Sequence, residues 1–353
     1  MKTNKELFVS IIIPCRNEVE FIPKCLDSII ANDFRKEKLE VLVVDGISKD
    51  NTRKIVKEYA KKYSFIRLID NPKKITPAAL NTGISYASGE VIIRMDAHAD
   101  YEKEYISKCV KYLYKYKADN VGGTMITKAR NDTFVGKAIV FSLSHRFGVG
   151  NSVFRTGAKE PILVDTVFGG CYKKEIFNKI GLFNEHLKSS QDMEFNLRLK
   201  KSGGKILFIP DIVCYYYALS DYKSFCKNNC RNGFWAIYPI KYTKIMPVSW
   251  RHLIPLAFVS CLVGLSGLSI VSSIFFWPLL LIFCLYLLTN IYFSLKIAQR
   301  EKQFRYFLIM PFIFGTLHII YGIGSLFGFF HLITSTKFWK SRLKKKSNIE
   351  SSK

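Results

Sequence analysis

Acidic residues are scarce in this 353-residue sequence: 28 Asp and Glu stand against 53 Lys and Arg, a formal charge of +25. So basic a balance raises nucleic acid as a partner. The basic residues flank apolar segments, however, which is the habit of a membrane surface, and no nucleic acid is expected. No Cys-x-x-Cys occurs and the nine cysteines are odd in number, so nothing points to a disulfide framework or a zinc knuckle. Gly-x-Gly-x-x-Gly is missing after the first apolar run, where Pro14, Cys15, Arg16 and Asn17 stand instead, which disfavours a dinucleotide fold. The P-loop pattern and the Gly-x-Ser-x-Gly elbow are missing too. Charge is absent over the 44 residues 252–295 and the 31 residues 306–336. Each stretch exceeds the roughly 20 apolar residues that span a bilayer as a helix. With 49% hydrophobic and 14% aromatic residues, the chain is too apolar to be disordered.

The first 120 residues alternate strand-like and helix-like patterns. Apolar runs at 8–13, 40–44, 65–69 and 90–95 predict strands, and helical spacing at 20–31, 51–63 and 77–87 predicts the helices between them. Continuous apolar strands separated by helices predict an α/β fold, a mostly parallel sheet with helices on both faces. Ligands of such sheets bind beyond the carboxyl ends of the strands. Pro14, Asp45 and Asp96 all stand at such ends. Further on, 121–127 and 164–172 read as strands, 131–150 as helix then loop, 189–201 as a helix, and 206–209 and 213–217 as two short strands.

The expected domains are 1–220, an α/β domain; 221–251, a basic, aromatic and interfacial linker; 252–336, a transmembrane region; and 337–353, a basic cytosolic tail. Spans are expected near 253–274 and 278–295, with a third apolar segment, 306–336, too long for one pass and too short for two. Lys296, Arg300, Lys302 and Arg305 against Glu301 predict a cytosolic connector, and with it a cytosolic amino-terminal domain on a multi-pass protein of the cell membrane. The short polar start carries no signal-peptide pattern, in keeping with that side of the membrane.

Several residues carry candidate chemistry. Asp96 and His98 are two apart, and in an extended segment they face one way, so both could reach one ion. A carboxylate with an imidazole suits Mn²⁺, with Mg²⁺ also possible; the plainer alternative is a polar strand end. Asp45 could accept a hydrogen bond from a uracil-type base or a ribose, and Gly46 after it allows close approach, while Asp50 reads as a helix cap. Arg16, Asn17 and Glu18 are polar where a nucleotide would sit, or form an ordinary loop. Asp192 opens a helix whose dipole favours a carboxylate, as a general base or as simple terminal charge. Gly169 and Gly170 could admit an acceptor to the backbone, or make a turn. Arg231 could bind diphosphate and Trp235 could sit at the interface, or both could belong to an aromatic belt.

In this order these residues resemble glycosyltransferase family 2, the inverting GT-A enzymes. The matching pieces are 9–14 with Arg16, Asn17 and Glu18; Val43, Val44, Asp45 and Gly46 with Ser48, Asp50 and Thr52; 79–83; Met95 to His98; Gly169 and Gly170; and Gln191 to Glu194. The form Asp96-Ala97-His98-Ala99 resembles the succinoglycan-type membrane enzymes that extend lipid-linked oligosaccharides for exopolysaccharide. The resemblance implies that Glu18 and Asp45 hold the nucleoside, Asp96 and His98 the metal on the diphosphate, and Asp192 the acceptor proton. His98 stands where Asp is commoner, and Gln191 where Glu is usual. No Gln-x-x-Arg-Trp occurs, which speaks against a processive synthase. The implied partners are a nucleoside-diphosphate sugar, UDP-sugar favoured, and a lipid-linked saccharide acceptor. Two alternatives are a polyprenyl-phosphate sugar synthase and a membrane scaffold with a degenerate transferase domain.

Overall fold

The computed structural model describes residues 7–243 and 249–335. The basic tail expected at 337–353 lies outside them. The chain divides into two compact units, Met1–Lys128 with Asn151–Ala218, and Ala129–Gly150 with Leu219–Lys353.

The first unit is built on a sheet of nine strands among the described residues: β1 Val9–Cys15, β2 Leu39–Asp45, β3 Ile66–Asp70, β4 Val91–Arg94, β5 Ala99–Tyr101, β6 Asn120–Ala129, β7 Ile162–Leu163, β8 Cys171–Lys173 and β9 Ile206–Ala218. The order is β3-β2-β1-β4-β8-β6-β9-β5, with β7 beside β9. The pairs β2–β3, β1–β2 and β1–β4 are parallel. The pairs β4–β8, β6–β8, β5–β9 and β7–β9 are antiparallel, so as a whole the sheet is mixed.

Alternation along β1 and β2 explains why both read as continuous apolar runs. Ile11, Ile13, Val41 and Val43 enter one core with Ile22, Cys25 and Leu26 of the helix Ile22–Ile30. Ile12, Leu42 and Val44 enter the other with Leu80 of the helix Thr76–Tyr86 and Phe195 and Leu199 of the helix Gln191–Lys201. A strand covered on both faces has no polar side to show.

Four local expectations change. β5 and the helix Tyr105–Lys115 stand where no element was expected. The run 164–172 is strand only at its end, from Cys171. Gly169 and Gly170 hold φ of +68° and +107°, which breaks the extended path before it. The two short strands around Pro210 form one strand, β9, because Pro210 still offers its carbonyl, which accepts from Thr124 Oγ1 at 3.1 Å.

Among the described residues of the second unit, three helices are long and apolar enough to cross a membrane: Trp250–Val271, Ser273–Arg300 and Arg305–Ile333. The break between the first two falls at Ser272, just inside the end of the first expected span. The segment of unsettled path is one continuous 29-residue helix with Pro311 inside it. At about 1.5 Å per residue it is roughly 44 Å long. The stretch 221–251 contains the helix Tyr222–Ile237, which packs closely along Arg305–Ile333. A Cβ on Gly324 would meet the Cys230 carbonyl at 2.1 Å, and one on Gly328 the Phe234 carbonyl at 2.6 Å. The helix Phe134–Ser144 belongs to this unit as well, with Ala138 and Ile139 packed among Met310, Ile313 and Phe314.

Candidate active site

β1, β2 and β4 run parallel, so their carboxyl ends open on one edge of the sheet. Two loops there are zipped together. Asn17 N donates to Ser48 Oγ at 2.8 Å, Lys49 N to Asn17 Oδ1 at 2.9 Å, and Glu18 N to Thr52 Oγ1 at 2.9 Å. Asp50, expected as a cap, accepts from Thr52 N and Val19 N. Burial works against the Asp50 charge, but the Thr52 and Val19 donors outweigh it and hold its carboxyl below the ordinary carboxylate value.

Asp45 is fully buried in this zipper. Its carboxylate accepts from Ser48 Oγ, from Ser48 N at 2.9 Å and from Arg53 Nη1 at 2.7 Å. Arg53 also reaches Asp70 at 2.8 Å. The carboxylate expected to face a base therefore braces its own loop here, and what it presents outward is the loop backbone. Arg16 is exposed, and its side chain lies across Gly46, where a Cβ would meet it at 3.1 Å. Pro14 is the half-buried penultimate residue of β1, paired with Val44.

The parity argument for Asp96 and His98 is corrected. β4 ends at Arg94, and Asp96 to Ala99 is a turn closed by Ala99 N donating to Asp96 O at 3.2 Å. Tyr101 Oη accepts the Asp96 N–H at 2.7 Å and so takes it out of any ladder. His98 is aimed by its contacts instead. Its Nδ1 lies 3.0 Å from Glu18 Oε1, and its ring meets the Tyr216 ring edge-on at 5.0 Å. Glu18, expected at the nucleoside, thus orients an imidazole.

Arg94 is the residue that sequence reasoning missed. Its guanidinium lies 3.1 Å from Asp96 Oδ1 and 3.9 Å from Asp192 Oδ2, with 12% of the side chain exposed. Burial disfavours its charge, but Asp96 and Asp192 more than offset this and raise its pKa above the ordinary arginine value. One signal was available: Arg94 is the single charged residue in the run 91–95. Gly169 and Gly170 hold it in place. The Gly170 carbonyl accepts from Arg94 N at 3.0 Å, and a Cβ on Gly169 would meet the Arg94 carbonyl at 2.8 Å. The close approach the glycines permit is to β4.

Asp192 sits in the first turn of its helix, 32% exposed, with Oδ1 accepting from Met193 N. Arg231 and Trp235 belong to the second unit, on Tyr222–Ile237. Arg231 is exposed and bonded to Asn228, and Trp235 packs edge-on against Phe234 and Tyr238.

Among the described residues no group of three or more His, Cys, Asp and Glu side chains is arranged to hold an ion alone. The Asp96 carboxylate and His98 imidazole are a donor set for a divalent cation that draws its remaining ligands from a bound molecule. With Nδ1 engaged by Glu18, His98 keeps Nε2 for that role. The residues therefore fit such an ion.

The sequence profile described as glycosyl transferase family 2 matches residues 10–181. A dolichyl N-acetyl-alpha-D-glucosaminyl phosphate 3-beta-D-2,3-diacetamido-2,3-dideoxy-beta-D-glucuronosyltransferase from Methanococcus voltae is 33% identical over 234 residues, 64% of this chain and 72% of that protein. The succinoglycan biosynthesis protein ExoA from Rhizobium meliloti is 30% identical over 209 residues, 59% of this chain and 62% of that protein. In fold, the mannosyltransferase PcManGT from Pyrobaculum calidifontis, solved with GDP-Man and Mn²⁺, superposes with a TM-score of 0.59 at 19% identity, covering 91% of this chain and 87% of that one. This chain belongs to glycosyltransferase family 2, has the GT-A fold and is a glycosyltransferase.

Proposed function

We propose that this chain is an inverting transferase that moves a sugar from a nucleoside-diphosphate sugar, UDP-sugar favoured, to a hydroxyl of a lipid-linked saccharide. The observation that carries the reading is Arg94, which ties the carboxylate of the proposed donor site, Asp96, to that of the proposed base, Asp192. The Methanococcus relative is named for transfer onto a dolichyl-phosphate-linked sugar, which supports an acceptor of this class.

Asp192 takes the proton of the acceptor hydroxyl as it attacks the anomeric carbon. Arg94, 3.9 Å away, orients that carboxylate. The leaving diphosphate departs on the opposite side, so configuration inverts and no covalent enzyme intermediate forms. A divalent cation, Mn²⁺ or Mg²⁺, held by Asp96 and His98 would neutralise the charge that grows on the diphosphate. Glu18 fixes the His98 ring through Nδ1. The loops 16–19 and 46–52 form the floor for the nucleoside.

The three apolar helices cross the cell membrane and keep the lipid-linked acceptor at its surface. The basic connector between the second and third puts the catalytic domain in the cytosol.

Membranes holding the protein, given a panel of nucleoside-diphosphate sugars with Mn²⁺, are expected to release nucleoside diphosphate only with a prenyl-linked sugar acceptor. Transfer to bare prenyl phosphate would replace this reading with a polyprenyl-phosphate sugar synthase. The Asp192→Asn variant is expected to bind donor as the wild type does and to lose at least about 100-fold in turnover; retained turnover would refute the base.

A further inference from the structure

Arg155 lies in the first unit, on the short helix Val153–Thr156. Its Nη1 donates to Thr127 Oγ1 at 3.3 Å. Its guanidinium carbon is 5.7 Å from the Phe154 ring centroid and 5.9 Å from that of Tyr216. Tyr216 is the residue whose ring meets His98 at 5.0 Å, and it also meets Phe168 at 5.5 Å. Arg155 therefore stands one tyrosine ring away from the proposed cation ligand. The placement follows from pairing: Tyr216 is opposite Ala99 in the β5–β9 ladder, next to His98.

Other arginines of the first unit have counter-ions. Arg53 meets Asp45 and Asp70, Arg94 meets Asp96 and Asp192, and Arg198 meets Glu194. Arg155 meets two rings and a hydroxyl, and no carboxylate among the described residues. Burial works against its charge and holds its pKa below the ordinary arginine value, with only Tyr216 acting the other way. A guanidinium carries five N–H donors, and here one is directed to Thr127. Arg155 is half-buried, so its remaining donors are within reach of an arriving anion, which would pair with its charge. The planar fork suits two oxygens of one phosphate, and the flanking rings hold its plane.

We propose that Arg155, with the Thr127 hydroxyl, forms an anion subsite beside His98 that takes the phosphate or diphosphate oxygens of a substrate. The proposal rests on the transfer reading for which substrate carries them: the nucleotide of the donor or the phosphate that links the acceptor to its lipid.

The test uses the full chain in detergent, with inorganic diphosphate as probe and EDTA present, titrated calorimetrically into wild type, Arg155→Gln and Arg155→Lys. The Gln variant is expected to bind about tenfold or more weakly, with partial recovery in the Lys variant. Equal affinity in wild type and Gln variant, or no measurable binding by the wild type, overturns the subsite. Parallel titrations with UDP and with prenyl phosphate in nanodiscs then name the source, which is the ligand that loses affinity. If the Gln variant fails to fold, phenylglyoxal labelling of wild-type Arg155, read by peptide mass spectrometry, replaces it. Protection by diphosphate supports the subsite, and no protection overturns it. Diphosphate binding through Arg155 in a chain that turns over no donor would leave the subsite standing and remove the transfer reading. Turnover with binding indifferent to Arg155 would do the reverse.

Discussion

The Arg94 guanidinium lies 3.9 Å from the Asp192 carboxylate while it holds Asp96 at 3.1 Å, so one cation joins the strand-end acid to the helix-start acid. Replacing Arg94 by Met leaves two acids facing each other with nothing between them. The expected result is loss of transfer by at least 100-fold and a stability loss of about 2–3 kcal/mol. The second figure is below that for a fully buried pair because Asp192 keeps 32% of its surface in water. Chemical unfolding and donor turnover on the same preparation check both. An Arg94→Met enzyme that keeps full turnover would remove Arg94 from the site.

Gly169→Ala tests how Arg94 is held. Its φ of +68° disfavours any side chain, and the new Cβ would stand 2.8 Å from the Arg94 carbonyl. A loss of about 1–3 kcal/mol is expected, together with a fall in turnover as Arg94 shifts. Gly203→Ala is the control. Its φ is +84° but nothing lies within 4 Å of a Cβ there, so it carries the backbone cost without the displacement. Equal effects on turnover in the two variants would show that Gly169 does not position Arg94.

Asp50 gives a pH dependence. Its carboxyl is held below the ordinary 3.8 despite partial burial, by donors from Thr52 and Val19. A depressed folded value contributes stability that is present above the unfolded pKa and lost as pH falls through the folded one. Thermal unfolding of wild type against Asp50→Asn, from pH 6 down to about pH 3, should show the gap between them narrowing toward acid. A gap constant with pH would assign the effect to something other than this charge.

Gly233→Leu tests the packing of the second unit. A Cβ at Gly233 would meet the Tyr321 carbonyl at 1.9 Å, so the helices Tyr222–Ile237 and Arg305–Ile333 would have to part. The melting temperature in detergent should fall clearly, whereas Gly264→Leu, with open space around it, should leave it unchanged.

What the sequence by itself determined is what is local. β1, β2 and β4 were legible because strands covered on both faces must be continuously apolar, and the flanking helices because one face of each is. The first two apolar helices were legible by length, and the third only as an apolar segment whose path its length left open. The residues at strand ends were legible because polar chemistry collects where apolar runs stop.

Tertiary structure alone decided which of those residues meet. Glu18 and His98 are 80 residues apart in sequence, and nothing in either segment announces their contact. Asp45 was legible as a strand-end acid, but its engagement with Arg53 depends on how the helix Thr52–Lys62 returns along the sheet. Parity misjudged Asp96 and His98 because the strand stops at Arg94 and a turn, not a pleat, carries the chain onward. The antiparallel half of the sheet and the transfer of Ala129–Gly150 to the second unit were hidden for the same reason. Periodicity reports which face of an element is buried, and it is silent on the neighbour that buries it.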